Sequence, residues 1–251
     1  MSIKLANKGI GQIFFVNSSG VKKEIIAASC GSTFVYTKKF DKTFYEYSTF
    51  TVPVGVKKIY VDCVGAQGNG GANGGQVLCP LNVTPGETLW LFVGNSTMLY
   101  NASHISKGSD TLEGRVVVAG GGGHGSLAGV GGGLTGGQGS TTGYVVGGGG
   151  GTQSAGGAGG YLGSGTPRGG HNGTAGTLGN GGTGWTTGGG GYYGGGGGSD
   201  WDIEKIGVRY GGSGGGSSYT HPSLCDKDYV IHNPGVRSGN GYIRIANFKF
   251  F

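Results

Sequence analysis

Between Gly120 and Gly216, 47 of 97 residues are glycine, so this stretch has too few side chains to build an ordinary apolar core. Ordering glycine costs roughly 0.5–1 kcal/mol per residue more than ordering alanine. The tract therefore either stays a coil or draws compensation from its own main chain. Spacing separates the two. Gly170, Gly173, Gly176, Gly179 and Gly182 stand three apart, and shorter runs at the same interval occur at Gly133, Gly136, Gly139 and at Gly157, Gly160, Gly163. Three residues per turn is the repeat of a polyproline-II helix, which has no internal hydrogen bonds. Its free N–H and C=O groups need partners, and glycine faces let neighbouring helices approach until their backbones bond to one another. Collagen solves the same problem with proline between the glycines, whereas Pro167 is the only proline in the tract. The expectation is a bundle of short, glycine-faced polyproline-II helices folded back on one another. The competing reading is a low-complexity linker. Against it stand the apolar and aromatic residues set through the tract, among them Leu127, Leu134, Val145, Val146, Tyr161, Leu178, Trp185 and Trp201.

The remaining apolar residues lie before residue 120 and after residue 217. At 251 residues the chain is long enough for one to two domains with a real core. No run approaches the roughly 18 apolar residues of a membrane helix, and Met1-Ser-Ile-Lys-Leu5 lacks the apolar region of a secretory signal. The sequence thus predicts no membrane insertion and no export by the usual route. Cys30, Cys63, Cys79 and Cys225 show no CxxC spacing, which argues against a clustered metal site and makes a thin disulfide framework. The net charge of +6 is concentrated at the start, where seven lysines face only Glu24 and Asp41 in residues 1–43. A contact with an acidic surface belongs there if anywhere, against the plainer reading of solvated lysines on a small β unit.

In chain order, 12–16, 21–26 and 32–36 read as short strands with a turn at Asn17-Ser-Ser-Gly20. Some forty residues hold little core, so this unit leans on a partner. From Tyr45 onward, alternating strands appear at 49–52 and 58–64, a second glycine run at Gly65, Gly68, Gly71 and Gly74, then strands at 76–83, 88–93, 115–119 and 241–246. Strands before the tract and one after it predict an all-β fold: a small N-terminal β module (1–43), then a β-sandwich or jelly-roll base (44–119 and 217–251) with the glycine-rich bundle (120–216) inserted. Cys63 and Cys79 fall on flanking strands and are placed to face each other, as thiols in a reducing compartment.

Enzyme chemistry finds little footing. Matches to G-x-G-x-x-G are inevitable in such a tract and lack the strand-then-helix context of a dinucleotide site. His104, His124, His171, His221 and His232 are scattered without metal-ligand spacing. A triad from Ser217 or Ser218, His221 and Asp226 is more simply a turn, and no carboxylate pair suits glycoside hydrolysis. The sequence predicts no catalytic residues, no cofactor and no metal. Single-stranded nucleic-acid binding would call for arginine with aromatic residues, but the acids Asp200, Asp202 and Glu204 balance Arg168, Lys205 and Arg209 across the tract. Nucleic acid is therefore not an expected partner.

A backbone-packed block carries its side-chain information where the helices reverse. The candidate contact residues are Tyr144, Arg168, Trp185, Tyr192, Tyr193, Trp201 and Tyr210, since Tyr and Trp offer large area with a polar handle for sugars or protein loops. The alternative at each is a ring that caps the bundle or seals it to the sheet.

Two sets of motifs carry a resemblance. The strand, glycine turn and Val-Lys-Lys strand of residues 12–26 are similar to small N-terminal modules of bacteriophage tail and fibre proteins. That implies an attachment module, with Phe14, Phe15, Lys22 and Lys23 as docking residues, which binds other virion proteins or self-associates into a homo-oligomer. The series Phe50-Thr-Val-Pro-Val-Gly-Val56, Val61-Asp-Cys-Val-Gly-Ala-Gln-Gly68, Leu81-Asn-Val-Thr-Pro-Gly86, Val116-Val-Val-Ala-Gly-Gly-Gly-Gly123, Gly214-Gly-Gly-Ser-Ser-Tyr219 and Gly239-Asn-Gly-Tyr-Ile-Arg-Ile245 resembles the glycine-rich β domain of phage tail and virion proteins, including crAss-like phages. Distal adhesins of T-even-like phages and the glycine-rich domain of the anaplastic lymphoma kinase receptor are similar in style, though the chain has no kinase or membrane span to match the receptor. The resemblance implies a non-enzymatic virion surface protein, made in the host cytoplasm, whose loops meet a host glycan or protein. The alternative is a purely structural decoration packed against other virion proteins.

Overall fold

The computed structural model describes residues 14–16, 22–24, 27–30, 33–164, 170–203 and 207–251. The described chain is all-β, and its one helical piece is a 3-10 turn over Lys227–Tyr229. Two short hairpins come first: β1 (Phe14–Val16) pairs with β2 (Lys22–Glu24), and β3 (Ala27–Cys30) with β4 (Thr33–Thr37). The chain then runs through β5 (Asp41–Phe44), β6 (Ser48–Thr51), β7 (Lys58–Val64), β8 (Gly74–Asn82), β9 (Thr88–Phe92), β10 (Ser103–Lys107) and β11 (Arg115–Ala119). Inside the tract lie β12 (Val145–Val146), β13 (Tyr161–Leu162), β14 (Gly170–His171), β15 (Asp200–Ile203) and β16 (Gly207–Tyr210). After it come β17 (Tyr219–Thr220), β18 (Ile231–Arg237) and β19 (Tyr242–Ala246).

Two five-stranded antiparallel sheets, ordered β18-β8-β7-β19-β5 and β17-β11-β10-β9-β6, pack face to face as a β-sandwich. Alternation puts Ile59, Val61 and Cys63 of β7, Val77, Cys79 and Leu81 of β8, and Ile243 and Ile245 of β19 against Leu89, Leu91, Ile105 and Val117 of the other sheet, all fully buried. Each such aliphatic side chain contributes about 1.5–3 kcal/mol of burial, which makes the sandwich the apolar anchor of the molecule.

Several strands were not readable in advance. β5 crosses the 43/44 boundary drawn from the sequence, because Asp41–Phe44 pair with β19 from Ala246 to Ile243 and belong to the base. The Ser-His-Ile-Ser-Lys of β10 has one aliphatic residue, yet it is a central strand whose Ser103 and Ser106 are buried. β18 carries Pro234 and Gly235 within a register shift between Asn233 and Arg237, and Gly235 has φ 66°, an edge-strand bulge that hides the alternation. Cys63 and Cys79 do not face each other: Cys63 is opposite Val77 and Cys79 opposite Val61. Cys63, Cys79 and Cys225 are buried free thiols. Cys79 donates to Cys225, which raises its own titration point and lowers that of Cys225.

The sandwich strands run directly into the glycine segments: β7 into 65–68, β11 into 120–124, and 211–217 into β17. Most of those segments have neither helix nor strand pairing and bond laterally. Gly136 and Gly139 donate to Gly151 and Gly148, Gly148 and Gly151 donate to Gly212 and Gly215, and Gly212 and Gly215 donate back to Ser140 and Gly137. A second closed set runs from Gly157 and Gly160 to Gly194 and Gly197, from those to Thr177 and Thr174, and from Gly173 and Gly176 back to Gly160 and Gly157. Donors and acceptors step by three in every pair, the period of a polyproline-II helix. The close approach requires glycine: a Cβ on Gly122, Gly188, Gly196, Gly214 or Gly216 would lie well inside 3.0 Å of a carbonyl oxygen on another segment.

This pattern predicts an amide-exchange signature. The N–H groups of Gly173, Gly176, Gly179 and Gly182 are all bonded to other segments or to the far side of a reversal, whereas Ala175 between them is exposed and donates no main-chain bond among the described residues. We expect the four glycine amides to exchange about a thousandfold or more slower than Ala175, as groups released only by larger openings do. Uniformly fast exchange across 170–182 would contradict the lateral bonding.

On β10, His104 stacks on Phe92 with centroids 5.0 Å apart and planes at 10°. Burial, together with the Arg115 charge, depresses its titration to about 4. The folded state keeps this ring neutral while an unfolded chain takes up a proton near 6.5. Its contribution to stability is therefore full above about pH 6.5 and is lost as pH falls from there toward 4. Burial moves His124 and His232 the same way, and Asp62, whose carboxyl burial raises, acts in the opposite sense. We expect His104→Phe, which keeps the stack, to lessen the stability loss between pH 7 and pH 4.5 by about 2 kcal/mol, read from urea melts of both proteins.

Candidate binding surface at the tip of the glycine bundle

The lateral bonds fix the direction of every segment. Gly136–Gly151 and Gly139–Gly148 run antiparallel, whereas Gly157–Gly194 and Gly160–Gly197 run parallel, so the chain travels away from the sandwich and back repeatedly. Reversals at 133–135, 152–155, 177–180 and 191–193 lie at the sandwich end, and those at 124–127, 140–146 and 185–186, with the described residues 161–164, 170–172, 199–203 and 207–210, lie at the far end, the tip.

The expected contact residues divide between these ends. Tyr192 is at the sandwich end, stacked on Tyr219 with centroids 4.0 Å apart and planes at 9°, edge-on to Tyr193, and beneath the Arg115 guanidinium at 5.7 Å. Arg115, itself buried, donates Nη1–H to the Gly191 carbonyl at 2.9 Å and Nε–H to the Leu112 carbonyl at 3.1 Å. Tyr193 is held by its N–H to Ser217 Oγ at 3.1 Å. Tyr192 thus packs where the bundle meets the sandwich, with Tyr193 edge-on to it, the arrangement of the capping alternative, and both rings are half-buried. Their position in a glycine run gave no sign of which end they occupied.

Tyr144, Trp185, Trp201 and Tyr210 are all at the tip. Tyr144 is 60% and Trp185 54% exposed, while Trp201 and Tyr210 are half-buried. The tip is built by two small sheets, β12-β13 and β14-β15-β16. In the second, Trp201 lies between Gly170 and Arg209, and Tyr210 opposite Asp200. Asp200 is buried and 3.3 Å from Nδ1 of the exposed His171, which ties β14 to β15. Tyr161, 53% exposed on β13, joins this surface although the sequence singled it out only as an aromatic in the tract; the signal was a lone ring between glycine runs. Arg168 falls outside the described residues. Phe14, Phe15, Lys22 and Lys23 lie on β1 and β2, where Phe14 pairs with Glu24, Phe15 with Lys23 and Val16 with Lys22; the side chains of the four are outside the description.

The serine-histidine-aspartate combination is not assembled. Ser217 Oγ donates to the Thr152 carbonyl at 2.8 Å, Ser218 Oγ accepts from Gly120 N–H at 3.0 Å, and His221 Nδ1 accepts from Ser223 N–H at 3.2 Å. Both serines are fully buried and work as struts between tract and base. Among the described residues, no group of three or more His, Cys, Asp or Glu is placed to hold a metal ion, and no helix is long and apolar enough to cross a membrane. What the tip offers is aromatic surface on short, backbone-anchored ribbons. No protein-family model matches the chain, and no curated protein matches it.

Proposed function

We propose that this is a non-enzymatic bacteriophage virion surface protein, a fibre or adhesin of tail or head, that attaches through residues 1–43 and presents the tip of a polyproline-II bundle to the host surface. The observation that carries this reading is the division of the aromatic residues. Within the glycine tract, Tyr192 at the sandwich end is packed against Tyr219 and Arg115, whereas Tyr144, Tyr161 and Trp185 face solvent at the opposite end of the glycine-stitched block. Exposed rings also lie on the base, at Tyr45, Tyr47, Tyr100 and Tyr229, so what supports a contact role for the tip is the presentation of Tyr144, Tyr161 and Trp185 on short, backbone-anchored reversals. Its partners are then other virion proteins at the N-terminal strands, where copies assemble as a homo-oligomer, and a cell-surface molecule at the tip. Neither nucleic acid nor a bilayer is a partner in this scheme.

A second reading, a structural virion decoration, draws on Met98, Leu99 and Tyr100, which form a run 57–59% exposed beside the base and suit burial against a neighbouring subunit. Labelling intact particles through a small epitope inserted at Gly143 tests the first reading. The label is accessible on intact virions and the purified protein reduces adsorption to the host strain if the tip meets the host. A label reached only after particles are disrupted would leave the decoration.

A further inference from the structure

The sandwich is open along one side. β5 ends the order of one sheet and β6 that of the other, and the short turn 45–47 joins them. Between these two strands runs a groove of about 470 Å³. From the β5 side alternate residues line it, Phe40, Lys42 and Phe44, whereas from β6 successive ones do, Thr49, Phe50 and Thr51. Alternate residues make up one face of a strand, and successive ones its edge. The groove therefore lies against the side chains of β5 and alongside the main chain of β6.

That edge has no partner. β6 pairs on one side only, with β9, and residues 48–51 make no further main-chain bond among the described residues. Alternate N–H and C=O groups of an edge strand point away from its neighbour and invite another chain to pair. Thr49 and Thr51 are exposed. Between them Phe50, 5% exposed, forms the floor, with the Phe40 ring centred 5.4 Å and the Phe44 ring 6.2 Å away. Lys42 is exposed and holds its ammonium 5.8 Å from the centre of the Phe50 ring. The neighbouring Asp41 is taken by Arg244 at 2.9 and 2.6 Å. Lys38 is the second cation of the lining, which holds no acid among the described residues.

A cation set among three phenyl rings selects what can pair here. A second copy offering its own β6 edge would bring a matching set of lysines, and the chain as a whole carries +6, so like edges are kept apart. An acyl chain would cover the rings but leave the β6 main chain unpaired. A foreign strand answers every group at once: N–H and C=O to β6, apolar side chains to the phenyls and a carboxylate to Lys42. Because Lys42 stands between Phe40 and Phe44 on β5, the inward face of that strand reads apolar, acidic, apolar at every second residue.

We propose that this groove binds an extended acidic and apolar segment of another protein, which adds to the sheet as a sixth strand beyond β6. The proposal goes beyond the host-facing tip and does not depend on it.

The isotope-labelled full protein is titrated with three probes: the blocked peptide Thr-Val-Thr-Glu-Thr-Val-Thr, the same peptide with lysine in place of glutamate, and decanoate. The expected result is saturable shifts of the Thr49, Phe50 and Thr51 amides with the glutamate peptide, at a Kd of about 1 mM. Binding weakens severalfold between about 50 mM and about 500 mM salt. Lys42→Glu weakens it at least about tenfold and turns the preference to the lysine peptide, and Lys42→Gln abolishes the preference. Lys42 is exposed, and unchanged melting temperatures verify that both variants fold. No shifts at about 10 mM peptide, equal binding of the two peptides, shifts confined to 41–44 or an unaltered preference in Lys42→Glu each overturn the proposal. Binding of decanoate alone overturns it in favour of an acyl site, and a dimer that the glutamate peptide dissociates overturns it in favour of a second copy.

Discussion

Gly214→Ala is expected to destabilise the protein by about 3 kcal/mol or more, the upper end of what overpacking costs, and to abolish slow exchange throughout the bundle. The added methyl would meet the carbonyl carbon and oxygen of Gly149, and Gly149 is itself fixed by its N–H to Ala158 and its carbonyl to Gly196. No flexible side chain lies there to move aside, so relief requires separating segments whose N–H and C=O groups are buried and have no other partner. Gly143→Ala provides the comparison. Nothing lies within 4 Å of a Cβ at Gly143, and its φ is 61°, so the cost is limited to about 1 kcal/mol of left-handed backbone strain. Chemical denaturation of both variants reads the difference. Equal, small losses at the two positions would mean that the segments are not packed main chain to main chain.

Asn101→Ala carries the second large effect, about 3 kcal/mol. Asn101 leaves the sandwich between β9 and β10 and is fully buried. Its Nδ2 donates to the Gly122 carbonyl at 2.6 Å, and its Oδ1 accepts from Gly190 N–H at 2.9 Å. Alanine strands a buried donor and a buried acceptor, each costing about 1–3 kcal/mol. Asn240 accepts from Ser96 N–H and Oγ in an exposed turn, and Asn240→Ala loses no more than about 0.5 kcal/mol because water replaces the asparagine. The two variants distinguish a buried clamp between base and bundle from ordinary surface bonding in one melting experiment.

The all-β class and the lateral logic of the bundle were legible because they rest on periodicity. Two-residue alternation marked β7, β8 and β9, and three-residue glycine spacing marked segments such as 170–182. What escaped depends on tertiary placement. β10 reads as polar, and one of its serines ties segments together: Ser103 Oγ donates to the Val64 carbonyl and accepts from Gly94 N–H. Which aromatics are free was set by the parity of the reversals, since a ring at 192 and a ring at 144 sit in similar glycine surroundings but at opposite ends. The buried asparagine at 101 had no local signature at all, since its partners are 21 and 89 positions away.

The closed triangles of donation use only main-chain atoms, so the lattice is blind to what the chain spells at its far reversals. A residue added at Gly143 lengthens one turn and leaves the register of 136–139 against 148–151 as it was. Variation is thereby tolerated at one pole of the molecule and forbidden along its shaft, an asymmetry that lets the far reversals change in sequence without refolding the whole.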